Sequence, residues 1–177
     1  MRQGKTRELT AAAMMTALMA ILSQVQLSIG PVPFNLAVLG AYLTGLLLPV
    51  PYAAGSVAAY IVLGGFGVPV FAGFSGGPAV LFGPTGGYIF GYLFTAVLTA
   101  LGARGGMHPV RTGIWMAAGL AVCYALGTVW FMAVMPYTLA QSLAACVTPF
   151  VVPDIVKGVA AYSFCKVLSA RMAKAGL

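Results

Sequence analysis

The sequence predicts an all-α integral membrane protein of six transmembrane helices, with both termini cytoplasmic and a long uncharged external loop between helices 3 and 4. Three observations carry this expectation. The 177 residues are 61% hydrophobic and only 6% charged, a balance foreign to soluble domains. Glycines and prolines divide the apolar sequence into lengths near the ~20 residues that cross a hydrocarbon core about 30 Å thick, enough for about six crossings. The basic residues sit at the ends of these segments rather than on a polar face interleaved with aromatics, so the net charge of +7 points to membrane topology and not to nucleic acid.

The helices are expected at about 8–28, 34–49, 51–66, 84–103, 111–135 and 153–172. The chain opens MRQGKTRE, as a signal peptide would, but the apolar stretch from Leu9 to Ile29 is longer than a signal core and no A-x-A site follows it. It reads as an uncleaved first helix. The second and third segments are short, either tilted little or forming a hairpin broken at Pro49 and Pro51, since proline removes a helical donor and favours a break before it. Two connections carry no charge: GVPVFAGFSGGPAVLFG over 67–83, and PYTLAQSLAACVTPFVV over 136–152, with room in the second for a short interfacial or re-entrant helix. Irregular backbone at membrane depth is tolerated only where protein covers it or it lines a cavity. Both are candidates for a lid or a pocket wall, and the whole chain, 1–177, reads as one membrane-embedded domain.

With six crossings the termini share a side. That side holds Arg2, Lys5, Arg7, Arg104, Arg111, Lys166, Arg171 and Lys174, eight of the nine lysines and arginines. The positive-inside rule makes it cytoplasmic.

Asp154 and Lys157 are the charges this topology cannot place at the cytoplasmic edge. A charge at mid-membrane costs roughly 2.5 to 3.5 kcal/mol on insertion scales, so such residues face a cavity or a partner rather than lipid. The expected last helix runs inward from Pro153, which suits a first helical position, and Asp154 then falls in the first turn, where the helix dipole favours a carboxylate. Residues three apart share a helix face. The pair is therefore read as pointing together into an outward-opening space, as a ligand site or as an ion pair closing the helix end.

Several chemistries are missing. No G-x-x-x-x-G-K-[ST] is present, and GPTGGY at 83–88 lacks the lysine, so ATP hydrolysis is not expected of this chain. One histidine and two acidic residues leave no zinc-protease motif, no triad and no carboxylate pair. His108 reads as a solvated loop residue. Cys123, Cys146 and Cys165 stand singly in apolar stretches and read as buried free thiols, with no metal site. No catalytic residue and no cofactor is expected.

Small residues recur at four-residue intervals on the first helix, Ala12, Thr16 and Ala20 with Ala13 and Ala17 beside them. Such stripes let helices approach closely in lipid, either within the chain or onto another protein. Gly83, Gly87 and Gly91 form a second stripe, expected to serve internal packing, with the hydroxyls of Thr85 and Tyr88 at the external end beside it. Phe66, Phe71 and Phe74 sit among glycines in the first uncharged connection, as interfacial anchors and core, or as walls around an apolar ligand that glycine lets approach the backbone.

In order along the chain, GPVPF at 30–34, GVPVFAGFSGG at 67–77, GPTGGYIFGY at 83–92 and PDIVKG at 153–158 resemble the BioY substrate-binding subunits of energy-coupling-factor biotin transporters. The resemblance covers nearly the whole chain. It implies a six-helix membrane S component that binds biotin at its external side, with a separate transmembrane coupling protein and two ATPase subunits as partners, in the bacterial cytoplasmic membrane. It implies too that the first-helix stripe (Ala12, Ala13, Thr16, Ala17, Ala20) docks onto the coupling protein, and that Asp154 and Lys157, matching the family's D-x-x-K, bind ligand. The full substrate-binding set expected is Asp154, Lys157, Phe71, Gly73, Phe74, Thr85, Gly86, Tyr88 and Asn35. Two departures bear on selectivity: Asn35-Leu36-Ala37 stands where the family commonly has TLQ, and Pro153 stands where glycine commonly precedes the acid. An S component for another vitamin, a non-transporting scaffold subunit and a pore are the competing readings.

Overall fold

The computed structural model describes residues 2–27 and 33–174, with backbone alone at 2–3 and 172–174. Gly30, Pro31 and Val32 of the GPVPF motif, the expected end of the first helix at Ser28, and the side chains of Arg2 and Lys174 lie outside the described residues. The elements run α1 (Arg2–Gln24), β1 (Gln26–Leu27), β2 (Phe34–Asn35), α2 (Ala37–Leu47), α3 (Val50–Gly65), α4 (Pro78–Leu81), α5 (Gly86–Ala103), α6 (Pro109–Val134), α7 (Leu139–Cys146) and α8 (Thr148–Lys174).

The helices of α2 and α5 form the middle of the molecule. α5 packs on α6, α2 and α3, while α2 also meets α1 and α8, and α1 packs on α3. Glycine sets the close approach of α5 to α6: a Cβ at Gly91 would lie 2.6 Å from Cys123 Sγ, and one at Gly87 would lie 2.3 Å from Trp130 Cβ. The Gly87 and Gly91 positions of the second stripe are thus spent on internal packing, which in lipid rests on such small-residue contacts. At the far end Arg111 donates to the carbonyls of Gly102, Arg104 and Gly106, satisfying backbone acceptors left open where α5 ends.

The fold departs from the sequence expectation at a short ladder after α1, at the start of α2 and at the start of α8. A two-residue antiparallel ladder pairs Gln26 with Asn35 and Leu27 with Phe34, so the chain is not wholly helical. It also delays α2 to Ala37, whose amide donates to Asn35 Oδ1 at 2.9 Å. Asparagine here offers the backbone a local alternative to the helix. The uncharged connection after α6 does hold a short helix, α7, opened by a capping box between Thr138 and Gln141, and α7 meets α8 at a bend of 41°.

The third departure concerns the start of α8. The helix begins at Thr148, so Pro153 lies inside it rather than at its first position, and Asp154 is beyond the first turn. Pro149, the second residue of α8, occupies the place where a missing N–H is no loss. The helix dipole consequently does not account for the carboxylate of Asp154; its neighbours must.

Among the described residues, α5 and α6 are each long and apolar enough to cross a membrane, and the bent α7–α8 pair reaches that length and composition only when its two helices are taken together. The 11 residues of α2 and 16 of α3 are apolar but shorter. The outer faces of α1, α3, α6 and α8 expose large apolar side chains such as Ile21, Val62, Val129, Val156 and Phe164, as lipid-facing surfaces do.

Candidate functional site

Lys157 is tied on three sides. Its Nζ donates to Asp154 Oδ1 at 2.7 Å and to the Asn35 carbonyl at 2.7 Å, and it stands 4.0 Å from the centroid of the Phe34 ring. Asp154 Oδ2 in turn accepts from the Tyr124 hydroxyl at 2.6 Å. Asp154 is 2% exposed and Lys157 7%, so each charge is balanced by named partners instead of water, the condition under which a buried ion pair persists. α8 supplies the pair, α6 supplies Tyr124, and the β2 strand supplies the carbonyl and the ring.

Three cavities surround this cluster. The smallest, about 30 Å³, is the polar one: Asp154, Lys157, Tyr124, Tyr88, Tyr92 and Asn35 are among its walls. A chamber of about 160 Å³ adjoins it, sharing Pro33, Asn35 and Tyr92 and adding Phe71, Ser75 and Thr85. The largest, about 270 Å³, opens between α6 and α8 over Tyr42 and is walled by Met116, Leu120, Gly158 and Val159, with Asp154 at its edge. Size and chemistry disagree here, and chemistry decides. A ligand with hydrogen-bonding groups needs convergent polar partners, which the two smaller chambers supply and the large apolar one does not.

The expected site residues separate accordingly. Asp154, Lys157, Asn35 and Tyr88 meet around the polar chamber, and Phe71 and Thr85 line the adjoining one. Phe71 is fully buried, its ring edge-on to Tyr60 at 5.3 Å and resting where a side chain on Gly64 would be. Phe74 does not join them: it is 74% exposed at the tip of the turn closed by the Phe71–Ser75 bridge. Gly73, with φ +72°, makes that turn possible, because a left-handed backbone costs glycine little. Gly86 lines none of the three cavities; a Cβ there would lie 1.7 Å from the Leu81 carbonyl oxygen. Its role is a tight joint between α4 and α5, beside the bond from Trp130 Nε1 to the Gly83 carbonyl at 3.0 Å.

The first-helix stripe also divides. Ala12 is buried, and Thr16 Oγ1 donates to the Ser56 carbonyl at 2.9 Å, so these two positions serve the contact of α1 with α3 and are closed to an outside partner in this structure. Ala20 is half-buried, while Ala13 and Ala17 are exposed on the outer side of α1.

Tyr124, Tyr92 and Tyr60 belong to the cavity walls without having been singled out in the sequence. Tyr92 had a signal, since it lies one helical turn after Tyr88 and shares its face. Tyr124 and Tyr60 had none, standing in apolar helices among residues of similar hydropathy. Cys123, Cys146 and Cys165 are buried and free; Cys146 borders the polar chamber.

A family model described as the BioY family matches residues 1–174. The chain is 40% identical over 157 residues to a probable biotin transporter BioY of Pyrococcus horikoshii, covering 89% of this chain and 93% of that protein. It is 36% identical over 159 residues to a biotin transporter BioY of Thermotoga maritima, covering 88% and 91%. Among solved structures, the S-component for biotin from an ECF-type ABC transporter superposes with a TM-score of 0.87 at 27% identity, over 96% of this chain and 94% of that one.

Proposed function

Because the chain belongs to the BioY family, we propose that it takes up biotin as the substrate-binding subunit of an energy-coupling-factor transporter, residues 1–177 forming the membrane-embedded domain. The observation that carries this reading is the buried Asp154–Lys157 pair at the wall of a polar chamber, in a fold that matches a biotin S-component.

Biotin has a neutral ureido ring, an apolar body and a carboxylate. An ammonium and a carboxylate side by side can take an acid or a carbonyl on one and an N–H on the other, through charge-assisted hydrogen bonds stronger than neutral ones. Lys157 has three N–H donors, and two of them reach Asp154 and Asn35. Phe71, Tyr60 and Tyr92 offer apolar and aromatic wall to the rest of the molecule. Transport then requires energy from elsewhere, supplied in this reading by a coupling protein docked on the exposed Ala13–Ala17 side of α1 and by two ATPase subunits.

In the membrane, α1, α2, α3, α5, α6 and the α7–α8 pair make six crossings, with both termini cytoplasmic and the 67–83 connection external. The short α2 is extended at each end by non-helical backbone at 34–36 and 48–49. Such backbone is admissible at depth where protein covers it, and Asn35 and Leu48 are half-buried and buried.

Calorimetry on the purified protein tests the reading. Biotin should bind tightly, with thiamine and riboflavin giving no heat and a biotin analogue lacking the carboxylate binding more weakly. Equal or stronger binding of another vitamin would reassign the substrate.

A further inference from the structure

Neither polar-walled chamber reaches the ~300 Å³ at which small-molecule pockets begin, so a ligand of biotin's size enters only if a wall moves. Helices supply most of the walls; the non-helical parts include the 33–35 segment, with Pro33 and Asn35, and the turn 70–75, which brings Phe71, Ala72 and Ser75 to the larger chamber. Phe71 anchors one end of that turn by its burial against Tyr60 and Gly64, and one side chain on α1 ties its backbone by hydrogen bonds. Gln24, the last residue of α1, shares the two hydrogens of Nε2 among the carbonyls of Ala20 in its own helix and Val70 and Phe71 in the turn, all at 3.1 Å, and accepts at Oε1 from the Phe74 amide at 2.8 Å.

The bond to Phe74 is made to a residue with φ +53°. A non-glycine residue in that left-handed region costs of order 1 kcal/mol or more and persists where its surroundings enforce it. Two residues beyond Gln24, Gln26 pairs with Asn35, whose carbonyl receives Lys157. The end of α1 therefore touches both sides of the chamber.

We propose that Gln24 is the latch of the site: a positioning residue, not itself in contact with the ligand, that keeps the 70–75 turn closed over the chamber and so sets how slowly ligand leaves. Because it sits on α1, any partner that shifts the end of this helix also loosens the turn. The gating half of the proposal rests on the biotin-binding reading above; the latch itself does not.

Two readouts on the full chain in lipid nanodiscs separate them. Hydrogen–deuterium exchange without ligand should show the 70–75 amides exchanging at least about tenfold faster in Gln24→Ala, with α5 unchanged, since two or three hydrogen bonds are lost. Gln24→Glu keeps the side-chain volume and the acceptor for Phe74 but loses the donations to the turn, and should fall between the two, which keeps the test open if the alanine variant folds poorly. Biotin dissociation should accelerate by about 10- to 100-fold in Gln24→Ala with no slower association. Unchanged exchange in 70–75 overturns the latch, and faster exchange with an unchanged dissociation rate overturns its gating role. If wild-type protein binds no biotin, the proposed function fails, and the exchange experiment still decides the latch.

Discussion

The hydroxyl of Tyr124 on α6 donates to Asp154 on α8 across 2.6 Å, beside the cavity of about 270 Å³ that separates the two helices. This bond fixes one carboxylate oxygen while Lys157 fixes the other, so the carboxyl plane has little freedom to turn. A hydrogen bond to a charged group contributes about 1.5 to 3 kcal/mol. We predict that Tyr124→Phe weakens biotin binding about 10-fold or more by calorimetry; an affinity within twofold of wild type would mean that the orientation of Asp154 is set without it.

The ion pair should also be visible in stability. Removing one member of a buried pair leaves the other uncompensated, at a cost of about 3 to 5 kcal/mol. Lys157→Ala should therefore unfold at a markedly lower temperature in detergent than wild type. Asp154→Asn combined with Lys157→Met, which removes both charges, should recover most of the loss. A double variant as unstable as the single one would locate the effect in packing and not in charge.

On α1, the two sides of the helix should respond differently to bulk. Ala13→Trp or Ala17→Trp adds a large side chain to an exposed position, and is predicted to leave biotin binding intact while abolishing copurification with the coupling protein. Ala12→Trp, at a buried position, overpacks the α1–α3 contact and should lower the yield of folded protein. Copurification surviving both exposed substitutions would move the docking surface elsewhere.

Gly91→Val tests the α5–α6 interface. The added Cβ meets Cys123 at 2.6 Å from Sγ and 2.8 Å from Cα, where the backbone cannot give, and overpacking of this kind costs about 1 to 3 kcal/mol. The unfolding temperature should fall by several degrees. Gly55→Ala, with nothing within 4 Å of the new atom, should not lower it.

These residues also show where sequence reasoning reaches. Asp154 and Lys157 were legible because two charges in an apolar chain have nowhere else to go, and a spacing of three puts them on one helix face. Helix positions were legible from glycine and proline punctuation to within about three residues for α2, α3, α5 and α6, while α1 and α8 begin six and five residues before their expected starts. Pro153 misled because proline more often starts a helix than sits within one, and Thr148-Pro149 offered an equally good start upstream. Phe74 misled for a different reason: whether a loop aromatic turns inward or outward depends on the backbone angle of a five-residue turn, which residue types alone do not fix. Tyr124 and Gln24 were invisible because their partners lie 30 and about 50 residues away, and a lone tyrosine or glutamine in a helix announces no partner.

The central claim is that the pair on α8 holds the ligand, and titration of biotin into purified wild-type protein and into Asp154→Asn/Lys157→Met tests it most directly. The double variant keeps the stem of the lysine and the shape of the acid while removing both charges. The account predicts saturable one-to-one binding to wild type and an affinity at least about 100-fold weaker in the variant, the equivalent of about 2.7 kcal/mol. Wild-type affinity in a variant that is folded would contradict it.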